Sequence, residues 1–239
     1  MSADLVVNEL TVTYGKATAV ERATLTVPAG KITAVVGPNG AGKSSLALGL
    51  YGSVAAKGEV LLAGEPLSSM SSIARAKAGL AIVPQGRQLF PRLTVRDNLQ
   101  VMAEMLGLKR DAVEAALDRF PVIRERHNRL AGVLSGGEQQ MLVVSRALMA
   151  NPRCLVLDEM TTGLAPKIVG QLIDTVSAIA DAGASVLIVD PALGPLARAV
   201  DRGYVLVRAQ LGEAHENADA LDAAYQRAMG VIHDEIGLE

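Results

Sequence analysis

The chain has 239 residues, half of them apolar, and carries 23 lysines and arginines against 25 aspartates and glutamates for a net charge of −2. That balance gives no argument for a general nucleic-acid-binding surface and leaves only local basic sites open, and the lone Cys154 excludes an internal disulfide. No apolar run reaches the roughly 18 residues a membrane helix needs and the N-terminus has no signal-sequence pattern, so any membrane role is expected to pass through a partner.

Residues 5–7, 10–13 and 23–27 are β-branched and partly alternating, and Tyr14-Gly15-Lys16 supplies a turn signal between them. An antiparallel hairpin region is predicted there. The runs Ile32–Val36, Leu80–Val83, 154–157, 185–189 and 204–207 are short, apolar and not alternating. Each reads as a strand buried on both faces, which predicts a parallel sheet flanked by helices. Cys154 falls inside one of these runs and is expected in the core.

The first of these strands leads into Gly37-Pro38-Asn39-Gly40-Ala41-Gly42-Lys43-Ser44, which fits the phosphate-loop pattern G-x-x-x-x-G-K-S/T and opens into a helical stretch from Ser45. Glycines let the backbone turn tightly, so that successive N–H groups approach a polyphosphate while the helix points its positive end at the same place. Lys43 adds a mobile cation for the outer phosphates, and the Ser44 hydroxyl is placed to ligate Mg²⁺.

Between Gln85 and Pro152 the pattern turns helical. Thr94-Val95-Arg96-Asp97 has the spacing of a capping box, with Leu99, Met102 and Leu106 following on one face. Residues 110–120 continue the helical pattern, Pro121 interrupts it, and Ser135 with Glu138 starts a further helix predicted to run to Ala150. Asn151-Pro152 stops that helix and returns the chain to the sheet. An Ala-rich helical stretch spans roughly 217–229, followed by a short acidic end.

Two segments carry further chemistry. Asp158-Glu159 emerges at the carboxyl end of a buried strand, where parallel sheets place their ligands. Beside a phosphate loop, Asp158 is expected to hold Mg²⁺ and Glu159 to orient or deprotonate an attacking water; alone, such a pair usually caps a helix. Ser135-Gly136-Gly137 offers a hydroxyl, two glycine N–H groups and a helix N-terminus, a second anion site.

With Leu134-Ser135-Gly136-Gly137-Glu138-Gln139 some 90 residues after the phosphate loop, the chain resembles the ABC-type ATPases from about Leu5 to Leu206. The stretches 83–95, 135–149 and Gly163-Leu164-Ala165-Pro166 resemble the ATP-binding subunits of branched-chain amino-acid importers, and Asp201-Arg202-Gly203-Tyr204-Val205-Leu206 matches that group's last sheet strand. The resemblance implies an α/β fold: a phosphate-loop, RecA-like, mostly parallel sheet with an antiparallel β region and an inserted helical subdomain. It implies a single nucleotide-binding domain, with core segments 1–85 and 152–210, a helical subdomain over 86–151 and a tail over 211–239. ATP and Mg²⁺ are the implied cofactors. Nucleotide contacts are expected from Tyr14, stacked on adenine, from Gly37 through Ser45, and from Ser135, Gly136 and Gly137, which close over the nucleotide of another subunit. Gln85 is expected to touch Mg²⁺ with Ser44 and Asp158, and to share catalysis with Glu159. Taken alone, Tyr14 reads as a turn or core residue and Gln85 as an exposed loop residue.

The implied partners are membrane permease subunits, a second ATP-binding subunit that is either a related chain or a copy of this one, and indirectly a solute-binding protein. The implied place is the cytoplasmic face of a membrane. Three departures stand out. Asp190-Pro191-Ala192 replaces the segment where most of the family has a histidine touching the γ-phosphate, so no side-chain donor is expected there from Pro191 or Ala192. His127, His215 and His233 lie elsewhere and are expected at the surface. Ala165 replaces the Asp usual in the wider family's dimer-contact loop, although Gly-Leu-Ala-Pro is normal for the narrower group, and Met160 replaces the Pro that commonly follows Asp-Glu, which reads as tolerated variation. An ATP-binding regulatory protein, or a soluble ABC protein acting without a transporter, is the alternative.

Overall fold

The computed structural model describes residues 4–231. A ten-stranded sheet runs through it in the order Glu65–Pro66, Ala56–Leu62, Leu5–Tyr14, Ala17–Val27, Gln210–His215, Arg202–Val207, Ile32–Val36, Ser185–Asp190, Cys154–Asp158, Leu80–Val83. The five apolar runs are adjacent parallel strands: β9 (Arg202–Val207), β3 (Ile32–Val36), β8 (Ser185–Asp190), β7 (Cys154–Asp158) and β6 (Leu80–Val83). Their lack of alternation has a direct cause. Side chains point alternately to the two faces, and both faces are covered. Ala34, Leu155, Leu157 and Ile188 enter one hydrophobic cluster, while Val35, Cys154, Val156 and Leu187 enter the other.

The hairpin is longer than predicted. β1 (Leu5–Tyr14) and β2 (Ala17–Val27) pair antiparallel, and residues 5–7 and 10–13 are one strand broken by a bulge at Glu9, whose φ is 52°. Two strands that carried no apolar pattern, β4 (Ala56–Leu62) and β5 (Glu65–Pro66), extend this antiparallel block.

Helix α1 (Lys43–Tyr51) follows the phosphate loop, and α2 (Ser72–Lys77) precedes β6. Between β6 and β7 lie α3 (Val95–Leu106), α4 (Arg110–Asp118), α5 (Pro121–Glu125) and α6 (Gly136–Ala147). Both capping boxes form, Thr94 with Asp97 and Ser135 with Glu138. Pro121 opens α5 at its first turn, where its missing N–H costs nothing. Arg96 and Arg124 both pair with Glu114, tying α3, α4 and α5 together and holding its carboxyl down to about 2. Phe120 is buried in the core beneath them.

Helix α7 (Pro166–Asp181) connects β7 to β8 and packs against β8. The segment expected as a tail is instead built in. β10 (Gln210–His215) pairs with β9, and α8 (Ala218–Ala228) packs on β9 through the fully buried Leu221. The Ala-rich stretch forms the helix its pattern predicts, with an apolar face turned to the sheet. The acidic end and His233 lie outside the described residues. His127 and His215 are half-buried rather than at the surface, His127 against the Arg124 carbonyl and His215 within β10. Among the described residues no helix is long and apolar enough to cross a membrane.

Candidate nucleotide site

The phosphate loop leaves β3 at Gly37 and enters α1 at Lys43. Two glycines are dictated by backbone neighbours. A Cβ on Gly37 would lie 2.0 Å from the Leu206 carbonyl oxygen, and one on Gly42, at φ 112°, would lie 2.0 Å from that of Ala19. Gly42 is also the residue before the helix and offers no side-chain cap, so the first N–H groups of α1 stay available to an anion. This contrasts with α3 and α6, where the Thr94 and Ser135 side chains each take one first-turn N–H, that of Asp97 and that of Glu138.

Lys43 is buried, and its Nζ donates to the carbonyl oxygens of Gly37 at 2.8 Å and Pro38 at 3.0 Å. Burial pushes its ammonium down, opposed by the carboxylates of Glu159, Asp158 and Asp190. Those three acids come from neighbouring strand ends. Asp158 closes β7, Glu159 follows it, and Asp190 closes β8. Asp158 is pushed up, chiefly by burial, although the Ser44 hydroxyl and the Gln85 N–H bond to it. Its Oδ1 is buried with no hydrogen-bond partner. An orphaned carboxylate oxygen beside a serine hydroxyl is a hard-oxygen donor set, which suits Mg²⁺.

Glu159 sits at φ 49°, a left-handed conformation uncommon outside glycine, and its N–H is held by the Val189 carbonyl at 2.9 Å. Its carboxylate accepts a 2.7 Å hydrogen bond from Gln85 Nε2. One cavity of about 330 Å³ is lined by Asn39, Gly40, Gly42, Lys43, Ser44, Ser45, Gln85 and Glu159 together. Gly37, Pro38 and Ala41 shape the loop behind it, with Ala41 buried.

Ser135, Gly136 and Gly137 lie at the start of α6, with Ser135 exposed. They do not line the cavity that holds Lys43. Gly137 packs on Ile168, where a Cβ would meet Cγ1 at 3.0 Å, and Gly136 lies under the Arg87 guanidinium, where a Cβ would meet Nη2 at 3.0 Å. Arg87 also reaches Gln139 Oε1 at 3.4 Å, and Arg146 donates to the Gln88 carbonyl at 3.0 Å. Two arginines therefore fasten the loop that follows Gln85, left-handed at Gly86, Arg87 and Gln88, to the helix that begins with Ser135.

Tyr14 is half exposed at the hairpin turn and does not line the cavity; Ala19, from the other arm of the hairpin, does. Pro191 and Ala192 bring no side-chain donor. Asp190 takes a backbone hydrogen bond from Ala192, leaves Oδ2 buried without a partner, and is pushed up to about 6, first of all by burial. Met160 is 1% exposed and fills the core, which accounts for an apolar residue after Glu159. Ala19 and Arg87 escaped the sequence reading. Ala19 acts through its backbone, which leaves no side-chain signal, and Arg87 stands in a polar loop like many others.

The sequence matches the profile of the ABC transporter family over residues 20–162. It is 38% identical over 212 residues to the high-affinity branched-chain amino acid transport ATP-binding protein BraG of Pseudomonas aeruginosa, covering 87% of this chain and 90% of that one. It is 30% identical over 215 residues to the lipopolysaccharide export system ATP-binding protein LptB of Escherichia coli, covering 87% and 89%. Its fold is similar to that of a nucleotide-free ATP-binding cassette from an ABC transporter, with a TM-score of 0.85 at 23% identity over 98% of this chain and all of that one.

Proposed function

Because this chain belongs to the ABC transporter family and is one of its ATPases, we propose that it is the ATP-binding subunit of an importer for branched-chain or related amino acids. The observation that supports its chemistry most is the gathering of Lys43, Ser44, Gln85 and Glu159 around one cavity, with Ser135–Gly137 turned elsewhere on the same chain. An anion site separated from its own phosphate loop is completed by a second subunit. Two subunits, identical or related, then enclose two nucleotides, each between one chain's phosphate loop and the other's Ser135-Gly136-Gly137.

In this reading the N–H groups of the loop and of α1 hold the phosphates, and Lys43 shifts from the Gly37 and Pro38 carbonyls to the outer phosphates. Ser44, Asp158 and Gln85 would hold Mg²⁺, which when bound offsets phosphate charge. Gln85 releases Glu159 to orient the attacking water and take its proton. Tyr14 stacks on adenine from the hairpin turn. Closure on ATP and reopening after hydrolysis, through different affinities for the two states, drive permease subunits on the cytoplasmic face of the membrane. The solute-binding protein acts on those subunits, not on this chain.

Import is favoured over export by the greater identity to BraG than to LptB over similar coverage. Affinity purification of the tagged chain from detergent-solubilised membranes tests the assignment. Recovery of permease subunits is expected, together with leucine uptake that is lost when the chain is deleted. Recovery with soluble proteins alone would overturn it. A second reading, a regulatory subunit with weak hydrolysis, is supported by the donor-free Asp190-Pro191-Ala192 segment.

A further inference from the structure

A cavity of about 640 Å³ lies at the opposite ends of the strands from the nucleotide site, between the end of α4, the α6–β7 connection and the last turn of α7. Its volume falls in the range of small-molecule sites. Leu148, Pro152, Ala178 and Ile179 give it apolar walls, Arg119 and Arg153 give it positive charge, and no acidic side chain lines it.

Arg119 has no partner that accounts for its place. Among the described residues it makes no hydrogen bond or ion pair, and its Nε is buried and unsatisfied. The residue as a whole is half-buried, and a bound anion would give that enclosed N–H the acceptor it lacks. Two local sources of negative charge are unavailable. The carbonyls ending α7 are used by its own cap, with Ala182, Gly183 and Ala184 donating to Ala178, Ala180 and Ile179. Asp111 lines the adjoining cavity, which Arg119 also borders, and does not pair with it. Arg153 is half exposed and reaches Glu65 only at 3.7 Å.

We propose that this cavity is a second binding site, for a small amphiphilic anion whose oxyanion head is held by Arg119 and Arg153 and whose short apolar body lies on Leu148, Pro152 and Ile179. The site is placed to act on turnover. The connection it touches joins α6, which begins beside Ser135, to β7, which ends at Asp158. An occupant there bears on both elements that carry the nucleotide chemistry, without contacting either end. The proposal is independent of which solute the transporter carries.

Octanoate is the probe, titrated into the purified full chain by calorimetry, with octanol and inorganic phosphate as the body and head alone. Saturable octanoate binding is expected, at least tenfold tighter than either control, as befits a charge-assisted hydrogen bond on an apolar site. Arg119→Met, which keeps the side-chain volume, should weaken octanoate binding about tenfold or more while leaving ATP affinity and the melting transition in place. Arg119→Lys should retain part of it. Absence of saturable binding, equal binding of octanol, or undiminished binding to the folded Arg119→Met variant would each overturn the proposal.

Discussion

Gln85 Nε2 and Glu159 Oε2 are 2.7 Å apart, so the amide of one loop holds the carboxylate proposed to orient water. Among the described residues nothing else bonds to that carboxylate, and the backbone beneath it is left-handed. Glu159 is thus held by a partner that, in the proposed mechanism, turns away when nucleotide binds. Glu159→Gln should bind MgATP with affinity within a few-fold of the parent, yet hydrolyse about 10²–10⁴ times more slowly. Light scattering in MgATP, with the second subunit supplied, should show it accumulating as a dimer. Monomers at saturating ATP would count against the shared-site arrangement.

The buried carboxyl of Asp190 makes stability depend on pH. Its folded value, pushed up to about 6, stands above the roughly 3.9 of an unfolded aspartate, so the folded chain holds the proton more tightly between these values. The resulting stability is present below pH 4 and lost as pH rises through about 6. Asp190→Asn should therefore be more stable at pH 7.5, by up to about 3 kcal/mol, and should match the parent near pH 4. Urea unfolding of the nucleotide-free chain in a chelator reads this difference. Equal stability at pH 7.5 would contradict it.

Phe90 and Phe120 should separate cleanly. Phe90 is 47% exposed, with its backbone held by the buried Asn98 side chain at 2.9 and 3.0 Å, whereas Phe120 is 5% exposed in the core. Phe120→Ala should cost about 3–5 kcal/mol of stability. Phe90→Ala should cost little in unfolding assays and leave ATP binding intact, but uncouple transport, because an exposed aromatic on a fixed loop suits docking to the permease.

Arg87 joins the loop after Gln85 to the helix of Ser135. Arg87→Ala should lower turnover several-fold, by about 1 kcal/mol of transition-state stabilisation, while ATP affinity measured on the isolated chain stays unchanged. Arg87→Lys should recover only part, since an ammonium cannot lie flat on Gly136. A matched loss of affinity would place Arg87 in the chain's own nucleotide site instead.

Pro191→His should raise turnover if the missing donor limits hydrolysis. Losing a preorganised donor typically costs about 10²–10³ in rate, so restoring one should give at least a tenfold gain in steady-state hydrolysis. Brisk hydrolysis by the parent homodimer, lost in Glu159→Gln and not improved by histidine, would show that the contact is dispensable.

The parallel strands were legible because burial on both faces leaves nothing but apolar residues, a signal that survives without partners. The motifs were legible because phosphate chemistry restricts residue type. β4 was not, since its first four residues are exposed and only its end is apolar. β1 read as two pieces because the Glu9 bulge breaks the alternation. β10 was hidden because none of its residues is fully buried and half are exposed. At the site, Gln85 and Glu159 were named from motif positions, but their hydrogen bond joins residues 74 apart in sequence and belongs to the fold alone.

Ala209 gathers three distant segments at one left-handed residue. Its φ is 67°, its N–H donates to the Ala41 carbonyl of the phosphate loop at 3.1 Å, and its own carbonyl accepts from Glu21 of β2 at 2.8 Å. The antiparallel hairpin is therefore anchored to the loop through a turn that does not line the nucleotide cavity. When nucleotide stiffens the loop, amide exchange at Ala209 and Glu21 should slow in concert with it, so that the far arm of the protein registers occupancy through two backbone hydrogen bonds.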